Sequence, residues 1–193
     1  MNRAHGVICS SAWWARTVER DLLPWALADV ELGEEVLEIG PGFGATTKVL
    51  AERVPTLSVL ELNPRYCERL RRGLGDRVEV VQGDATEMPF GDGRFSGVLA
   101  FTMLHHVPSR ERQDRLLAEV SRVLRPGGVF AGSDSLATGL AFRLLHVGDT
   151  LLPVAPEELG ARLLGAGLAE PRVQRGGRSF RFRASKPAQP AHA

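Results

Sequence analysis

The sequence is poor in the residues that would indicate a disulfide-linked, membrane-embedded or metal-binding protein. Its 193 residues include only two cysteines, Cys9 and Cys67, and their spacing suggests neither a disulfide framework nor a metal site. No run approaches the roughly 18 apolar residues of a membrane span, and the N-terminus lacks a continuous apolar signal core. We therefore expect a cytoplasmic protein with reduced thiols, no bound metal and no membrane association.

Neither sign of charge dominates the sequence. Its 24 basic and 23 acidic residues give a formal net charge of +1, which creates no strong field for a nucleic acid or a membrane surface. We expect no nucleic-acid partner, and a monomer or homodimer. At this length we expect a single domain over residues 1–184, with a helical segment over residues 1–30 and a disordered tail over residues 185–193.

The stretch from Val36 to Thr47 is the most informative part of the chain. It begins with a short apolar run that is typical of a strand buried on both faces, interrupted only by Glu38. Three glycines then form a turn in which the backbone can approach a ligand closely: Gly40, Gly42 and Gly44. The residues after them have a helical composition. A strand, a glycine turn and a helix N-terminus predict a ligand site without naming the ligand.

Acidic residues also follow the next two predicted strands. The run Leu57 to Leu60 ends in Glu61, roughly 20 residues beyond the glycine turn, where a carboxylate can accept hydrogen bonds from both hydroxyls of a ribose. Asp84 follows the run Val78 to Val81. Because helices alternate with these strands, we expect a parallel sheet with right-handed crossovers. Glu38, Glu61 and Asp84 should then lie near one ligand at the carboxyl edge of that sheet.

A nicotinamide dinucleotide is one candidate ligand. The dinucleotide fingerprint requires Gly or Ala five positions after its first glycine, and Ala45 satisfies it. Two features argue against this ligand. Glu38 would repel a pyrophosphate, whereas it suits a ligand that carries an ammonium group. Residues 169–175 and 178–184 are typical of two strands joined by a Gly176-Gly177 hairpin, and an antiparallel hairpin is foreign to the all-parallel dinucleotide fold.

A further block, Leu124-Arg125-Pro126-Gly127-Gly128, ends one helix and starts the strand at Val129. Together with Leu37-Glu38-Ile39-Gly40 and Gly83-Asp84-Ala85, it makes the chain resemble the class I S-adenosylmethionine-dependent methyltransferases of the small-molecule type, over about residues 33 to 184. The resemblance implies an α/β fold, a Rossmann-like three-layer sandwich with a seven-stranded, mostly parallel sheet and an antiparallel C-terminal hairpin strand. It also implies transfer of a methyl group from S-adenosyl-L-methionine to a small-molecule acceptor by direct displacement.

The resemblance assigns a cofactor site to the ends of four strands. Glu38 would face the methionine ammonium through water, and the glycine turn would make room for the methionine and ribose. Glu61 would bind the ribose hydroxyls, while Leu62 would flank the adenine ring. Asp84 would accept the adenine amino group, Ala85 would offer its backbone, and Phe101 would line the methionine side. The implied set is Glu38, Gly40, Gly42, Gly44, Glu61, Leu62, Asp84, Ala85 and Phe101.

Two histidines follow the fourth predicted strand, and they are the candidate catalytic residues. An imidazole side chain generally titrates near neutral pH, so His105 or His106 could remove a proton from a hydroxyl or carbon acceptor. Amine, carboxylate and thiol acceptors need only alignment with the methyl group. The alternative is that the histidines cap or pack the following helix. Asp134 and His146 are weaker candidates.

All three tryptophans, Trp13, Trp14 and Trp25, fall in the leading segment. We expect them to pack this segment onto the sheet. The resemblance offers the alternative that one of them closes the site over an apolar substrate. Two other functions stay open: an NAD(P)-dependent oxidoreductase, and a non-catalytic regulatory protein that binds S-adenosylmethionine. The sequence does not identify the methyl acceptor.

Overall fold

The computed structural model describes residues 11–136 and 150–188. Seven strands in this part of the chain form one sheet. Their bounds are Glu35–Ile39 (β1), Thr56–Glu61 (β2), Glu79–Gln82 (β3), Phe95–Phe101 (β4), Leu124–Ser135 (β5), Ala169–Gly176 (β6) and Ser179–Ser185 (β7). The strand order is β3-β2-β1-β4-β5-β7-β6. The first five strands run parallel to one another, whereas β7 is antiparallel to both of its neighbours. The predicted sheet and its antiparallel closing strand are confirmed.

Helices cover both faces of this sheet. They are Ala12–Thr17 (α1), Leu23–Ala26 (α2), Ala45–Leu50 (α3), Pro64–Leu74 (α4), Arg110–Val123 (α5) and Pro156–Gly165 (α6), with a π-helical turn, Val18–Leu22, between α1 and α2. One buried cluster joins the sheet to α2, α3 and α4, and a second joins its opposite face to α5 and α6. The three-layer sandwich is therefore confirmed. Among the described residues, no helix is long and apolar enough to cross a membrane.

The leading segment begins as the sequence predicts and is tied down at its far end. Ser11 is the N-cap of α1, where its hydroxyl accepts a hydrogen bond from Trp14 N at 3.1 Å. Pro24 lies in the first turn of α2, a position that tolerates its missing N–H. Arg181 of β7 donates to the carbonyl oxygen of Trp25 at 2.6 Å, and Arg183 donates to the carbonyl oxygen of Asp29. These two arginines of the hairpin therefore hold the leading segment against the sheet.

The C-terminal boundary also differs from the prediction. Strand β7 continues to Ser185, and Lys186 N donates to the carbonyl oxygen of Gly128 at 2.8 Å. Lys186 Nζ donates to the carbonyl oxygen of Leu124 at 2.7 Å. The predicted start of a disordered tail at residue 185 is wrong, because the chain remains bonded to the sheet through Lys186. A helix expected over residues 136–147 falls almost wholly outside the described residues.

Candidate active site

A cavity of about 370 Å³ lies at the carboxyl ends of β1, β2, β3 and β4. Its walls come from the segments that follow these four strands, from the leading segment and from the start of α5. Strand order places the β3 end at one side of the cavity and the β4 end at the other. The predicted cofactor residues that line it are Gly40, Gly42, Glu61, Leu62, Asp84, Ala85 and Phe101.

The glycine turn keeps the floor of the cavity open. Gly40, Gly42 and Gly44 all have positive φ, at 64°, 54° and 76°, a region that a side chain makes unfavourable. A Cβ atom on Gly44 would lie 2.5 Å from Leu70 Cδ2, so a side chain there would displace the end of Leu70 on α4. A Cβ on Gly42 would meet no atom within 4 Å. Gly42 therefore leaves space that a ligand can enter.

Glu61 joins the turns that follow β1 and β2. Its side chain is buried, with Oε2 accepting from Gly42 N at 3.0 Å and Oε1 accepting from Asn63 N at 2.8 Å. Burial raises the pKa of Glu61, and these hydrogen bonds offset only part of the rise. Each carboxylate oxygen keeps acceptor capacity after one hydrogen bond. The two hydroxyls of a ribose fit this capacity.

Glu38 lies behind the cavity wall. It is 1% exposed, and its Oε1 accepts a hydrogen bond from the hydroxyl of Thr46. Thr46 lines the cavity, whereas Glu38 does not. Glu38 Oε2 is buried without a hydrogen-bond partner among the described residues. Burial raises the pKa of Glu38 to about 7 despite the hydroxyls of Thr46 and Thr47. Thr46 therefore stands between Glu38 and the cavity, a position that sequence reasoning missed.

Asp84 is held by two partners in the turn after β3. Its Oδ1 accepts from both the backbone N and the hydroxyl of Thr86, each at 2.8 Å. Its Oδ2 forms an ion pair with Arg112 of α5, which also lines the cavity. Burial raises the pKa of Asp84, but the bonds from Thr86 and the charge of Arg112 outweigh it and the pKa is lowered. Leu62, with 65% of its surface exposed, flanks the same end of the cavity.

The end of β4 turns sharply around the cavity. Phe101 is buried in its wall, and Thr102 follows with φ at 50°, which is unusual for a β-branched residue. The backbone N of Thr102 donates to the carbonyl oxygen of Ser133 at 2.8 Å. This strained turn brings Met103 and His106 into the lining. Such strain is found where the surrounding structure fixes a functional geometry.

The structure separates the two histidines. His105 is buried outside the lining, where its ring Nδ1 and backbone N both contact the carboxylate of Asp134. His106 lines the cavity, and its Nδ1 lies 3.1 Å from the carbonyl oxygen of Thr150. Because a carbonyl only accepts, His106 Nδ1 carries the proton in the neutral ring and Nε2 is the basic nitrogen. Of the two candidates only His106 faces the cavity, and His146 lies outside the described residues.

The tryptophans have three different surroundings. Trp14 lines the cavity together with Leu22 of the π-helical turn. Trp25 packs on the hairpin, where a Cβ on Gly176 would lie 2.7 Å from its ring. Trp13 is 61% exposed. The leading segment therefore contributes to the wall of the cavity through Trp14 and Leu22.

The sequence is similar to those of known methyltransferases. A family model described as "Methyltransferase domain" matches residues 37–132. Over 115 residues the chain is 44% identical to a fatty-acid O-methyltransferase of Mycolicibacterium smegmatis, covering 57% of this chain and 40% of the relative. Over 143 residues it is 36% identical to ribosomal RNA small subunit methyltransferase A of Cupriavidus pinatubonensis, covering 61% of this chain and 49% of the relative. The chain thus spans less than half the length of each.

The fold also matches solved structures. A chain from the complex between the Haloferax volcanii Trm112 methyltransferase activator and its methyltransferase superposes with a TM-score of 0.74. The match covers 97% of this chain and 99% of that chain at 16% sequence identity. At this identity the likeness concerns the fold alone.

Proposed function

We propose that the chain is a class I S-adenosylmethionine-dependent methyltransferase and that it methylates a small apolar acceptor. The observation that carries the proposal is the single cavity shared by four strand ends. There the glycine turn, the Glu61 carboxylate and the Asp84 carboxylate face the space that a methionine, a ribose and an adenine would occupy. The antiparallel β7 and the buried Glu38 support this cofactor over a nicotinamide dinucleotide.

The apolar side chains in the cavity lining support an apolar acceptor. They include Trp14, Leu22 and Met103, and His106 lies in the same lining. The first relative's name specifies a fatty acid, which agrees with this lining. The second relative's name specifies ribosomal RNA, yet among the described lining residues the only arginine or lysine is Arg112, which is paired with Asp84. An RNA acceptor would need unpaired cations at the mouth of the cavity.

The reaction requires alignment more than strong acid or base chemistry. S-adenosylmethionine, when bound, would supply the methyl group of its sulfonium. The methyl group passes to the acceptor, and a neutral thioether remains. The chain's residues hold the acceptor in line with that group and exclude water. The acceptor's electron pair forms the new bond to the methyl carbon as the carbon–sulfur bond breaks. For a hydroxyl acceptor, His106 Nε2 takes the proton; for a carboxylate, no proton is removed.

Calorimetry and a turnover assay test the proposal together. We expect S-adenosylhomocysteine to bind the protein with micromolar affinity, and NADH to show no heat of binding. Transfer of a labelled methyl group would then be measured over fatty acids, hydroxylated aromatics, amines and a ribosomal RNA fragment. Methylation of an apolar small molecule supports the proposal, and tight NADH binding would overturn it. Binding of S-adenosylhomocysteine without turnover of any acceptor would instead favour the non-catalytic regulatory role.

A further inference from the structure

We propose that Gln113 of α5 is a positioning residue that fixes which nitrogen of His106 carries the proton. Its amide clamps the turn that carries His106 to the segment that carries Thr150, so that Nδ1 stays protonated and Nε2 stays basic. The consequence for catalysis rests on the proposed function, because it assumes that His106 takes a proton from the acceptor. The clamp itself is a property of the folded chain, with or without a ligand.

Two short segments meet at His106. The first is a 3₁₀ turn after β4, Leu104–His106, and the second begins at Thr150 and follows residues that the structure does not describe. Leu152 N donates to the carbonyl oxygen of His105 at 2.8 Å, and Nδ1 of His106 lies 3.1 Å from the carbonyl oxygen of Thr150. The position of the Thr150 carbonyl relative to the ring therefore depends on what else holds the second segment.

Gln113 holds both segments with one amide group. Its Nε2 donates to the carbonyl oxygen of Leu104 at 3.2 Å and to the carbonyl oxygen of Leu152 at 3.0 Å. An amide nitrogen has two hydrogens to donate, so each segment receives one of them. Gln113 is only 3% exposed, which leaves little water to replace these bonds. The clamp thus lies within two residues of both partners of the contact between His106 and Thr150.

Arg162 of α6 fixes the orientation of the Gln113 amide. Its Nη1 donates to Gln113 Oε1 at 3.0 Å, and its Nε donates to Asp114 at 2.7 Å. A guanidinium only donates hydrogen bonds, and a backbone carbonyl only accepts them. The amide oxygen must therefore point to Arg162 and the amide nitrogen to the two carbonyls, because a flipped amide would lose the bonds on both sides.

The clamp decides the chemistry that His106 can perform. A neutral imidazole has one protonated nitrogen, and the hydrogen bond made by the ring sets which nitrogen it is. The Thr150 carbonyl only accepts, so it keeps the proton on Nδ1 and leaves the lone pair on Nε2. A neutral histidine side chain in water favours the opposite form, with the proton on Nε2. Loss of the clamp would release the Thr150 carbonyl and shift His106 toward that form, in which Nε2 cannot take a proton.

The competing explanation is that Gln113 only satisfies buried carbonyls and stabilises the fold. Arg122 provides a matched control, because it also bonds two backbone carbonyls from the same helix. Its Nη1 and Nη2 donate to the carbonyl oxygens of Phe90 and Met88 at 2.7 and 3.0 Å, and neither of those residues lines the cavity. Arg122→Met should therefore destabilise the chain without changing the tautomer of His106.

The test reads the tautomer of His106 from long-range proton–nitrogen correlation spectra of ¹⁵N-labelled protein at pH 8, without ligands. The His106 signals are identified by their absence from the spectrum of His106→Gln. We expect the wild type and Arg122→Met to keep the proton on Nδ1. Gln113→Met is an apolar near-isostere, and Gln113→Glu keeps an acceptor for Arg162 but has no N–H. In both, the ratio of the Nδ1–H form to the Nε2–H form should fall by about tenfold.

A second measurement connects the clamp to the reaction. With a hydroxyl acceptor, kcat of Gln113→Met should fall by about tenfold, because the His106 ring loses both its tautomer and its fixed orientation. The affinity for S-adenosylhomocysteine should stay that of the wild type. A purely structural role would lower the midpoint of thermal unfolding in Gln113→Met and Arg122→Met alike, and it would leave the tautomer and kcat of the folded protein unchanged.

A wild-type His106 ring that carries its proton on Nε2 would overturn the inference without any variant. An unchanged tautomer ratio in both Gln113 variants would overturn it too, as would a shift of the same size in Arg122→Met. Gln113→Glu carries the comparison should Gln113→Met not fold. A wild type that binds S-adenosylhomocysteine but methylates no acceptor would count against the proposed function alone, and the tautomer ratios would still decide the role of Gln113.

Discussion

The proposed function divides the cavity into a cofactor end, with the glycine turn, Glu61 and Asp84, and an acceptor end, with Trp14, Leu22, Met103 and His106. The two ends are built in different ways. At the cofactor end, bonds join turns on neighbouring strands: Gly40 N donates to Leu60 O at 2.9 Å, and Gly42 N to Glu61. At the acceptor end, single bonds join segments far apart in the chain. His106 contacts Thr150, and the leading segment is held by Arg181 across 156 positions of sequence.

This difference predicts different tolerance to change. The cofactor end is fixed by sheet register and by backbone in positive φ, so it has one geometry. The acceptor end depends on a few side-chain bonds, and each of them can be exchanged without altering the sheet. We therefore expect substitutions at the cofactor end to weaken binding of S-adenosylhomocysteine and so to reduce turnover of every acceptor. Substitutions at the acceptor end should change turnover or acceptor affinity while cofactor affinity is retained.

Glu61→Ala should give the largest effect. It removes both oxygens available to the ribose and also the acceptor of Gly42 N. Hydrogen bonds to a charged group contribute about 1.5–3 kcal/mol each, so affinity for S-adenosylhomocysteine should fall by about 1,000-fold in calorimetry. Glu68→Ala, an exposed carboxylate on α4, is the matched control and should bind as the wild type does. Comparable affinity of Glu61→Ala and Glu68→Ala would remove Glu61 from the site.

His106→Gln should affect turnover rather than cofactor binding. With a hydroxyl acceptor, loss of the base should lower kcat by about 100-fold, while the affinity for S-adenosylhomocysteine changes little. The acidic limb of the pH–rate profile should disappear, because the wild-type rate falls as His106 is protonated. An unchanged kcat and pH profile would mean that the acceptor needs no proton removed.

His105→Gln is the control for that comparison. His105 is buried against Asp134 and lies outside the cavity lining. Its substitution should lower the midpoint of thermal unfolding, because Asp134 loses a buried partner. The pH–rate profile of the folded fraction should keep its acidic limb. Loss of the limb in both variants would show that the two histidines act as a unit.

Sequence reasoning reached the cofactor end because its signals are local. Gly40 and Gly42 lie in the turn after β1, and Glu61 ends β2. These elements are adjacent in both sequence and space, so composition and spacing predict that the residues meet. The same reasoning predicted the antiparallel hairpin from two strand-like runs joined by Gly176-Gly177. The antiparallel pairing of β6 with β7 confirms it.

The remaining site residues have no such local signal. Arg112 reaches Asp84 from α5, and Thr150 meets His106 across an intervening stretch that no motif marks. An arginine in the first turn of a helix looks like any solvated residue. The two adjacent histidines are indistinguishable by composition, and only the turn at Thr102 decides which one enters the cavity. Such contacts depend on helix packing, which periodicity does not specify.

Glu38 should make stability depend on pH at the cofactor end. Its pKa is about 7 in the folded chain against an ordinary value of 4.5, so the folded state binds more protons between these values. The stabilisation that protonated Glu38 contributes is fully present below about pH 4.5 and is lost as pH rises through about 7. We expect the free energy of unfolding of the wild type, relative to Glu38→Gln, to fall by about 2 kcal/mol from pH 5 to pH 8 in urea titrations.

Thr46→Val tests the environment assigned to Glu38. Without the hydroxyl that donates to Oε1, the charged form loses a partner, so the pKa of Glu38 should rise further and the fall in stability from pH 5 to pH 8 should become larger. A difference between the wild type and Glu38→Gln that stays constant from pH 5 to pH 8 would contradict the raised pKa. It would mean that the carboxyl is solvated in the folded chain.

Arg181→Met should give the smallest effect and should separate the two ends most clearly. Arg181 Nη1 holds the carbonyl oxygen of Trp25, and the same segment carries Trp14 into the acceptor wall. Loss of this bond should cost about 1 kcal/mol of unfolding free energy and raise the acceptor KM several-fold. Arg178→Met, on the exposed hairpin turn, is the control. Cofactor affinity should be unchanged in both variants, because no bond from the hairpin reaches the glycine turn within the described residues. A parallel loss of cofactor affinity in Arg181→Met would mean that the two ends are coupled.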